Sequence, residues 1–436
     1  MQPIELLREL IRIDTTNPPG NEGPAAELLD SYLATAGLET YMHKSPGGRV
    51  SVTARIEGPT DVPALVLVSH TDVVAVERDG WTRDPFGAEI ADGCLWGRGA
   101  LDMKSIAVMH AHAVAALAAG GTTNREVVFM SVADEEAGGG EGAASLLEAV
   151  PERAGFGEGR PPPEALGEGA FGLTDVMEQP VMPVVVGEKA VLWLDLRASG
   201  DPGHGALPPL DQANMNLIKV VSKIAGHRRP RVHPVMRAQF GILAEHARGP
   251  RKAVFKALAS AAGPQLAAAL KKPLRSKGTI ATLLSDTLTP TRIDAGYKHN
   301  VVPAEATASL DCRLLPDTDI PGLLRSLSKT AAKHGVTVEE VSRHASPVSK
   351  AGPLYEILTR VSQGLPERPV PIPSLTPGMT DLRFLRQRGA AAYGWVPLVL
   401  SNELLATIHG HDERIEVAAF ERAVEVMTDV VRTAAS

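Results

Sequence analysis

The chain has 436 residues and a formal net charge of -7, from 44 Lys and Arg against 51 Asp and Glu, a balance that argues against general nucleic-acid affinity. Hydrophobic residues at 44% with charged residues at 22% exclude a disordered or fibrous chain, and the length exceeds what one core usually holds, so two domains are expected. Two cysteines, Cys94 and Cys312, are too few for a disulfide framework or a four-cysteine zinc site, which makes a reducing cytoplasm the expected location.

The opening residues Met1-Gln2-Pro3-Ile4-Glu5 lack the basic, apolar, small-residue order of a signal peptide. No apolar run approaches the roughly 20 residues that span a bilayer. Val50–Ile56 and Ala64–Ser69 read as strands, the second an apolar run of the kind buried on both sheet faces. A helix follows over Ala107–Ala119 and a strand over Glu126–Val132. This alternation implies a sheet covered by helices, with ligands gathered beyond the carboxyl ends of the strands. Pro151–Pro183 is rich in Gly and Pro and reads as loop with short ordered pieces. From Ala190 the order becomes strand (Val191–Ala198), helix (Met215–Ala225), insertion, strand (Thr287–Ile293), strand (Ala306–Leu314), helix (Ile320–Lys333) and strand (Val336–Val341), a β-α-β-β-α-β unit. Alternation resumes after Ser346 and ends in a helix over Val417–Thr433. The expected fold class is therefore α/β, a mixed-sheet domain with helices on both faces over residues 1–187 and 347–436. A smaller α+β domain over 188–346 interrupts it, with an insertion at about 227–280. From Lys219 to Lys277 that stretch holds fourteen Lys or Arg against one acid, Glu245, which reads as a solvated basic face or a steering surface for anions.

The chemistry-bearing residues come in short groups. In Ser69-His70-Thr71-Asp72 an extended backbone puts His70 and Asp72 on one side, so Asp72 can orient an imidazole whose other nitrogen binds metal. A hydrogen-bonded structural pair is the bland alternative. Asp102, after Gly97-Arg98-Gly99, is either a helix cap or a carboxylate that bridges two cations; the spacing to Lys104 does not fit a phosphate loop. In Asp134-Glu135-Glu136 adjacent side chains diverge, so one can bind metal while the other accepts a proton from the metal's water. A solvated acidic turn remains the alternative. Glu168 and His409, each a plausible surface residue alone, complete a set of two histidines and three carboxylates suited to two zinc ions sharing one bridge. Asp102, Glu136, Glu168 and a hydroxide would balance the charge of two such ions. No Gly-x-Ser-x-Gly nucleophile elbow is present.

Read in order, Ser69-His70-Thr71-Asp72, Trp96-Gly97-Arg98-Gly99 with Asp102, Asp134-Glu135-Glu136, Gly167-Glu168-Gly169, Gly203-His204-Gly205, Asn300-Val301-Val302-Pro303, Thr380-Asp381 and His409-Gly410 resemble the dizinc family of aminoacylases, glutamate carboxypeptidases, succinyl-diaminopimelate desuccinylases and acetylornithine deacetylases. The resemblance implies a zinc exopeptidase-like catalytic domain and a ferredoxin-like lid that often forms a homodimer. It implies two Zn²⁺, with Co²⁺ or Mn²⁺ as possible substitutes. His70 and Glu168 would bind one ion, Glu136 and His409 the other, and Asp102 both, with Glu135 as general base. His204 would stabilise an oxyanion, commonly in the partner subunit's site, with help from Asn300; Arg313 would take a substrate carboxylate, and Gly378 and Thr380 would line the pocket. His411 fits the pattern less well than His409, and Met103 follows Asp102 where many relatives carry Asp or Asn, at a bond that is often cis in the family. The implied reaction is hydrolysis of an amide or peptide bond beside a carboxylate, in a small N-acyl amino acid or short peptide, by a dizinc-bound water. A non-catalytic metal- or peptide-binding module on the same fold is the competing reading.

Overall fold

The computed structural model describes residues 1–120, 123–227, 230–269 and 282–436, so the expected basic insertion lies partly outside the described residues, with Arg228, Arg229, Lys271, Lys272, Arg275 and Lys277 among those not covered. The chain divides into two compact units: Met1–Gly187 with Val348–Ser374 and Thr380–Ser436, and Glu188–Pro347 with Leu375–Met379. The loop Leu375–Met379, counted with the first domain from the sequence, thus groups with the second unit.

The first unit is built on a mixed sheet whose middle strands, Val127–Val132, Leu65–His70, Glu164–Gly167 and Ala391–Gly394, run parallel. Leu65–His70 and Val127–Val132 are buried along their whole length because helices cover both faces. On one face Val66, Val68, Val128, Met130 and Val132 pack with Leu146, Leu147, Leu382 and Leu385; each such side chain, fully buried, contributes roughly 1.5–3 kcal/mol. On the other lies the helix Lys104–Gly120, apolar on nearly every side and rich in alanine, itself covered by Pro3–Arg12 and Val417–Ala435. The parallel register places His70 beside Val132, Leu67 beside Leu166 and Gly167 beside Gly394, so the carboxyl ends of the strands open on one edge.

Glu164–Gly167 is the main departure from the sequence expectation. The stretch read as loop holds a buried central strand, and Val181–Glu188, also buried, begins within it. Glu164 tolerates burial because Arg125 pairs with it at 2.8 Å and the Leu354 N–H donates to it at 2.9 Å.

In the second unit the antiparallel sheet runs Gly226–His227, Thr287–Asp294, Glu305–Leu314, Ala190–Ser199, Val336–His344. Helices Ala213–Ile224 and Ile320–Ala332 cover one face, burying Leu192, Leu194, Leu196, Leu310, Cys312 and Leu314. Strand alternation therefore puts Asp311 and Arg313 on the opposite face. The described part of the insertion forms helices Pro234–His246, Gly249–Ala259 and Gly263–Ala269. The expected α/β class with an α+β insertion is the architecture observed. No described helix is long and apolar enough to cross a membrane.

Candidate metal centre

Five segments of the first unit bring five side chains together at the carboxyl edge of its sheet. His70 ends its strand, the turn Asp134-Glu135-Glu136 follows Val132, Glu168 follows Gly167, and Asp102 precedes the helix Lys104–Gly120. His409 arrives from the loop before Arg414–Glu416, in a left-handed conformation at φ 58°. The peptide between Asp102 and Met103 is cis.

Two clusters share Asp102. His70 Nε2 lies 3.3 Å from Asp102 Oδ1 and 3.8 Å from Glu168 Oε1, while His409 Nε2 lies 3.1 Å from Asp102 Oδ2 and 3.2 Å from Glu136 Oε1. Within each cluster the donor atoms all fall within 4.8 Å of one another. A tetrahedron with arms of about 2.0–2.1 Å has edges of about 3.3 Å, so these spacings suit ligands around an ion. His70 Nε2 is also fully buried without a hydrogen-bond partner, an orphan that a cation would satisfy. Donor chemistry and geometry both fit the metal set.

The local field has the same sense. Burial works against a charged His70, yet Asp102 and Asp72 outweigh it and hold its pKa well above normal. Asp102 and Glu136 raise His409 to about 10. Burial, then the charge of Asp102, lifts Glu168 well above the carboxylate range; burial, then the charge of Glu168, does the same for Glu135. A concentrated negative potential of this kind draws protons or metal cations to the same atoms.

Other contacts differ in detail from the sequence reading. His70 Nδ1 donates to the backbone oxygen of Asp72 at 2.9 Å, and the Asp72 carboxylate stands farther off, 3.4 Å away. That carboxylate instead accepts the backbone N–H groups of Glu135 at 3.2 Å and Glu136 at 3.1 Å, so Asp72 holds the acidic turn as well as the histidine. Turn and strand meet closely: a Cβ on Gly142 would lie 1.7 Å from the Ala133 carbonyl oxygen, and one on Gly394 would lie 2.3 Å from that of Glu168.

Sequence reasoning missed Glu413. Its fully buried carboxylate accepts from Arg98 Nη1 at 2.7 Å and from the N–H groups of Gly99 at 3.0 Å, Leu101 at 2.7 Å and Asp102 at 3.0 Å, while Arg98 Nη2 donates to the Gly410 carbonyl at 2.7 Å. The pair ties the Asp102 loop to the His409 loop. The only signal was the Gly97-Arg98-Gly99 and Asp412-Glu413-Arg414 text, whose acid and base meet 315 residues apart. Arg383 was missed too; it donates to Thr380 O at 2.8 Å and Gly138 O at 2.6 Å. His411 is set apart from both clusters, its Nε2 3.6 Å from Glu77.

The remaining sequence candidates lie elsewhere. Thr380 is buried in the first unit, and Gly378 belongs to the segment that groups with the second. His204 and Asn300 are exposed on a small ribbon of the second unit, where Gly203–His204 pairs with Val301–Val302 and the Gly205 N–H donates to Asn300 O at 2.9 Å. Arg313 is engaged by its own strand neighbour, with Nε 2.9 Å from Asp311 Oδ1.

Residues 66–433 match the model of peptidase family M20/M25/M40. The chain belongs to this family. Among its relatives, the aminoacylase-1 of Sus scrofa is 29% identical and that of Homo sapiens 28%, each alignment covering 99% of this chain and 95% of the relative. The N-fatty-acyl-amino acid synthase/hydrolase PM20D1 of Mus musculus is 27% identical, with 99% and 87% covered. The fold is similar to that of an M20 family metallo-carboxypeptidase, Sso-CP2 of Sulfolobus solfataricus, at TM-score 0.74 and 17% identity with 99% of both chains covered. It is also similar to that of human carnosine dipeptidase 1, at TM-score 0.65 and 14% identity, with 98% and 96% covered. As an M20/M25/M40 member the protein is a metal-dependent hydrolase of amide or peptide bonds, and nothing favours a non-catalytic module.

Proposed function

We propose that the protein hydrolyses the amide of a small N-acyl amino acid or short peptide beside its carboxylate, using two zinc ions. The observation that carries this reading is the pair of clusters sharing Asp102, with Glu135 on the same turn as Glu136 but in neither cluster. His70, Asp102 and Glu168 would hold one ion, and Asp102, Glu136 and His409 the other. Bound divalent cations supply Lewis acidity, which brings a water's pKa toward neutrality and polarises a carbonyl. Glu135 takes the proton of the attacking water on its carboxylate and delivers it to the leaving nitrogen. Asp72 keeps Glu135 and Glu136 in place through their backbone N–H groups.

The acyl amino acid class is supported by the aminoacylase-1 relatives, which align along nearly their whole length. Roles for His204 at an oxyanion, for Asn300, and for Arg313, Gly378 and Thr380 in substrate binding rest on motif resemblance. So does a homodimer formed through the second unit as a lid domain, a reading that the exposed Leu207, Leu210, Met215 and Ile218 of that unit also support. A cytoplasmic location agrees with a chain that carries only two cysteines, Cys94 and Cys312.

The test is metal analysis with assays on N-acetyl amino acids and dipeptides, for wild type and Glu135→Gln. Close to two metals per chain is expected in both, with turnover in the variant reduced by about 10²–10⁴-fold. Loss of metal in Glu135→Gln would move Glu135 into the ligand set, and a metal-loaded wild type inert on the whole panel would refute the substrate class.

A further inference from the structure

The turn that carries Glu135 and Glu136 is held from behind by a network in which, besides Asp72, stand Arg49, Glu22, Asn17 and Asp134, none of them in either cluster. Asp134, immediately before Glu135, is left-handed at φ 69°. Its carboxylate accepts from Arg49 Nη1 at 3.0 Å on one oxygen and from the Glu141 N–H at 2.9 Å on the other, and its carbonyl accepts from the Gly139 N–H at 2.6 Å. The opposite edge of the Arg49 guanidinium grips Glu22, with Nε 2.8 Å from Oε2 and Nη2 against Oε1. Asn17 joins this group to the acid that holds the turn's N–H groups: its Nδ2 donates to Asp72 Oδ2 at 2.8 Å, and its Oδ1 lies 3.4 Å from Arg49 Nη1.

Three carboxylates, Glu22, Asp72 and Asp134, therefore converge around the Arg49 guanidinium. Exposure is low throughout: the side chain of Glu22 is 1% exposed, Asp134 10% and Arg49 13%, and Asp72 is fully buried. At such burial the repulsion between the acids is poorly screened, and their separation depends on the guanidinium between them. A planar fork can hold Glu22 on one edge and Asp134 with Asn17 on the other, whereas an ammonium is a single point that cannot span both.

We propose that Arg49 is a positioning residue for the reaction: through Asp134 and Asn17–Asp72 it sets the backbone from which Glu135 reaches its proton. The inference rests on the assignment of Glu135 as general base. Charge near the site is not the essential property; the two-edged geometry is. A displacement of the base by about 1 Å costs on the order of 10²-fold in rate, while substrate affinity has no comparable dependence on it.

The experiment compares Arg49→Lys, Arg49→Met, Asn17→Ala and Glu135→Gln with wild type, measuring kcat, KM and bound metal in the zinc-loaded full-length protein on whichever N-acetyl amino acid or dipeptide it turns over. Arg49→Lys is expected to keep full metal content and a KM within about 3-fold, with kcat down roughly 10–100-fold. Asn17→Ala should move kcat in the same direction, which keeps the test alive if Arg49→Met does not fold. Wild-type kcat in both Arg49→Lys and Asn17→Ala would overturn the proposal, as would a kcat that falls only in proportion to lost metal. A wild-type rate in Glu135→Gln beside a slowed Arg49→Lys would sink the base assignment and leave the effect of the network standing.

Discussion

Replacing Glu413 with Gln changes one oxygen to an amide nitrogen and isolates what the buried carboxylate does. Glu413 receives two donors on each oxygen: Leu101 and Asp102 N–H on Oε1, Arg98 Nη1 and Gly99 N–H on Oε2. Whichever way a glutamine amide turns, its NH₂ faces two of these four donors, which then lose their acceptor. Each orphaned donor costs about 1–3 kcal/mol, and Arg98, 2% exposed, is left without its counter-charge, a loss of about 3–5 kcal/mol for a buried pair. These penalties describe the same contacts, so the total expected is about 3–5 kcal/mol, equivalent to a fall in melting temperature of roughly 3–9 °C in a protein of this size. Because the Asp102 N–H is one of the four donors, metal affinity should also drop about 10–100-fold. Thermal melts of the metal-free and zinc-loaded proteins, with a competition titration against a chelating dye, measure both effects. A Glu413→Gln protein that melts and binds zinc as wild type does would refute the reasoning.

Chelation should lower the melting temperature, since it removes a cation that binds the folded chain through Asp102, Glu136 and Glu168 and has no such site in the unfolded one. Zinc at about 100 times its Kd should restore about 2.7 kcal/mol, and Asp102→Asn should lose most of that response; identical melts with and without chelator would argue against a cation there. Lys189 donates to Thr282 O at 3.0 Å and Ser285 O at 2.8 Å, and burial lowers its pKa to about 8 from 10.5. Between those two values the unfolded chain holds the proton that the folded chain has released, so the Lys189 contribution to stability rises with pH through that window. Melting curves from pH 7 to pH 10 should show this slope reduced in Lys189→Met, and an unchanged slope would count against the depressed pKa.

Elements with a strong pattern of their own were legible. Ala64–Val68 is an unbroken apolar run leading into Ser69 and His70, and Lys104–Gly120 is long and mostly apolar, so neither needs knowledge of its neighbours. Glu164–Gly167 was not legible, because a four-residue strand bounded by prolines and glycines shows no periodicity and owes its place to partners on both sides. The same distinction applies at the site. His70, Asp102, Glu135, Glu136, Glu168 and His409 stand in short motifs that can be read in place. Arg49, Asn17, Arg98 and Glu413 act through partners up to 315 residues away, and nothing in their own surroundings announces it. Asp72 lies between the two cases: its neighbour His70 was foreseen, but the Asn17 amide and the turn N–H groups that occupy its carboxylate come from 55 or more residues away.

The clasp made by Glu413 also sets a timetable. Asp102 is synthesised 311 residues before the carboxylate that receives its N–H, a delay of roughly 15–60 s at about 5–20 residues per second. Throughout that interval the nascent Gly99–Asp102 loop has no Glu413 to receive its N–H groups, although His70 is made before it and Glu168 well before Glu413. The whole Glu188–Pro347 unit is made in the meantime. Ordering of the Asp102 loop is therefore among the last events in the maturation of this enzyme, and a ribosome stalled before residue 413 carries a chain with most of the donor atoms and no clasp to hold Asp102 among them.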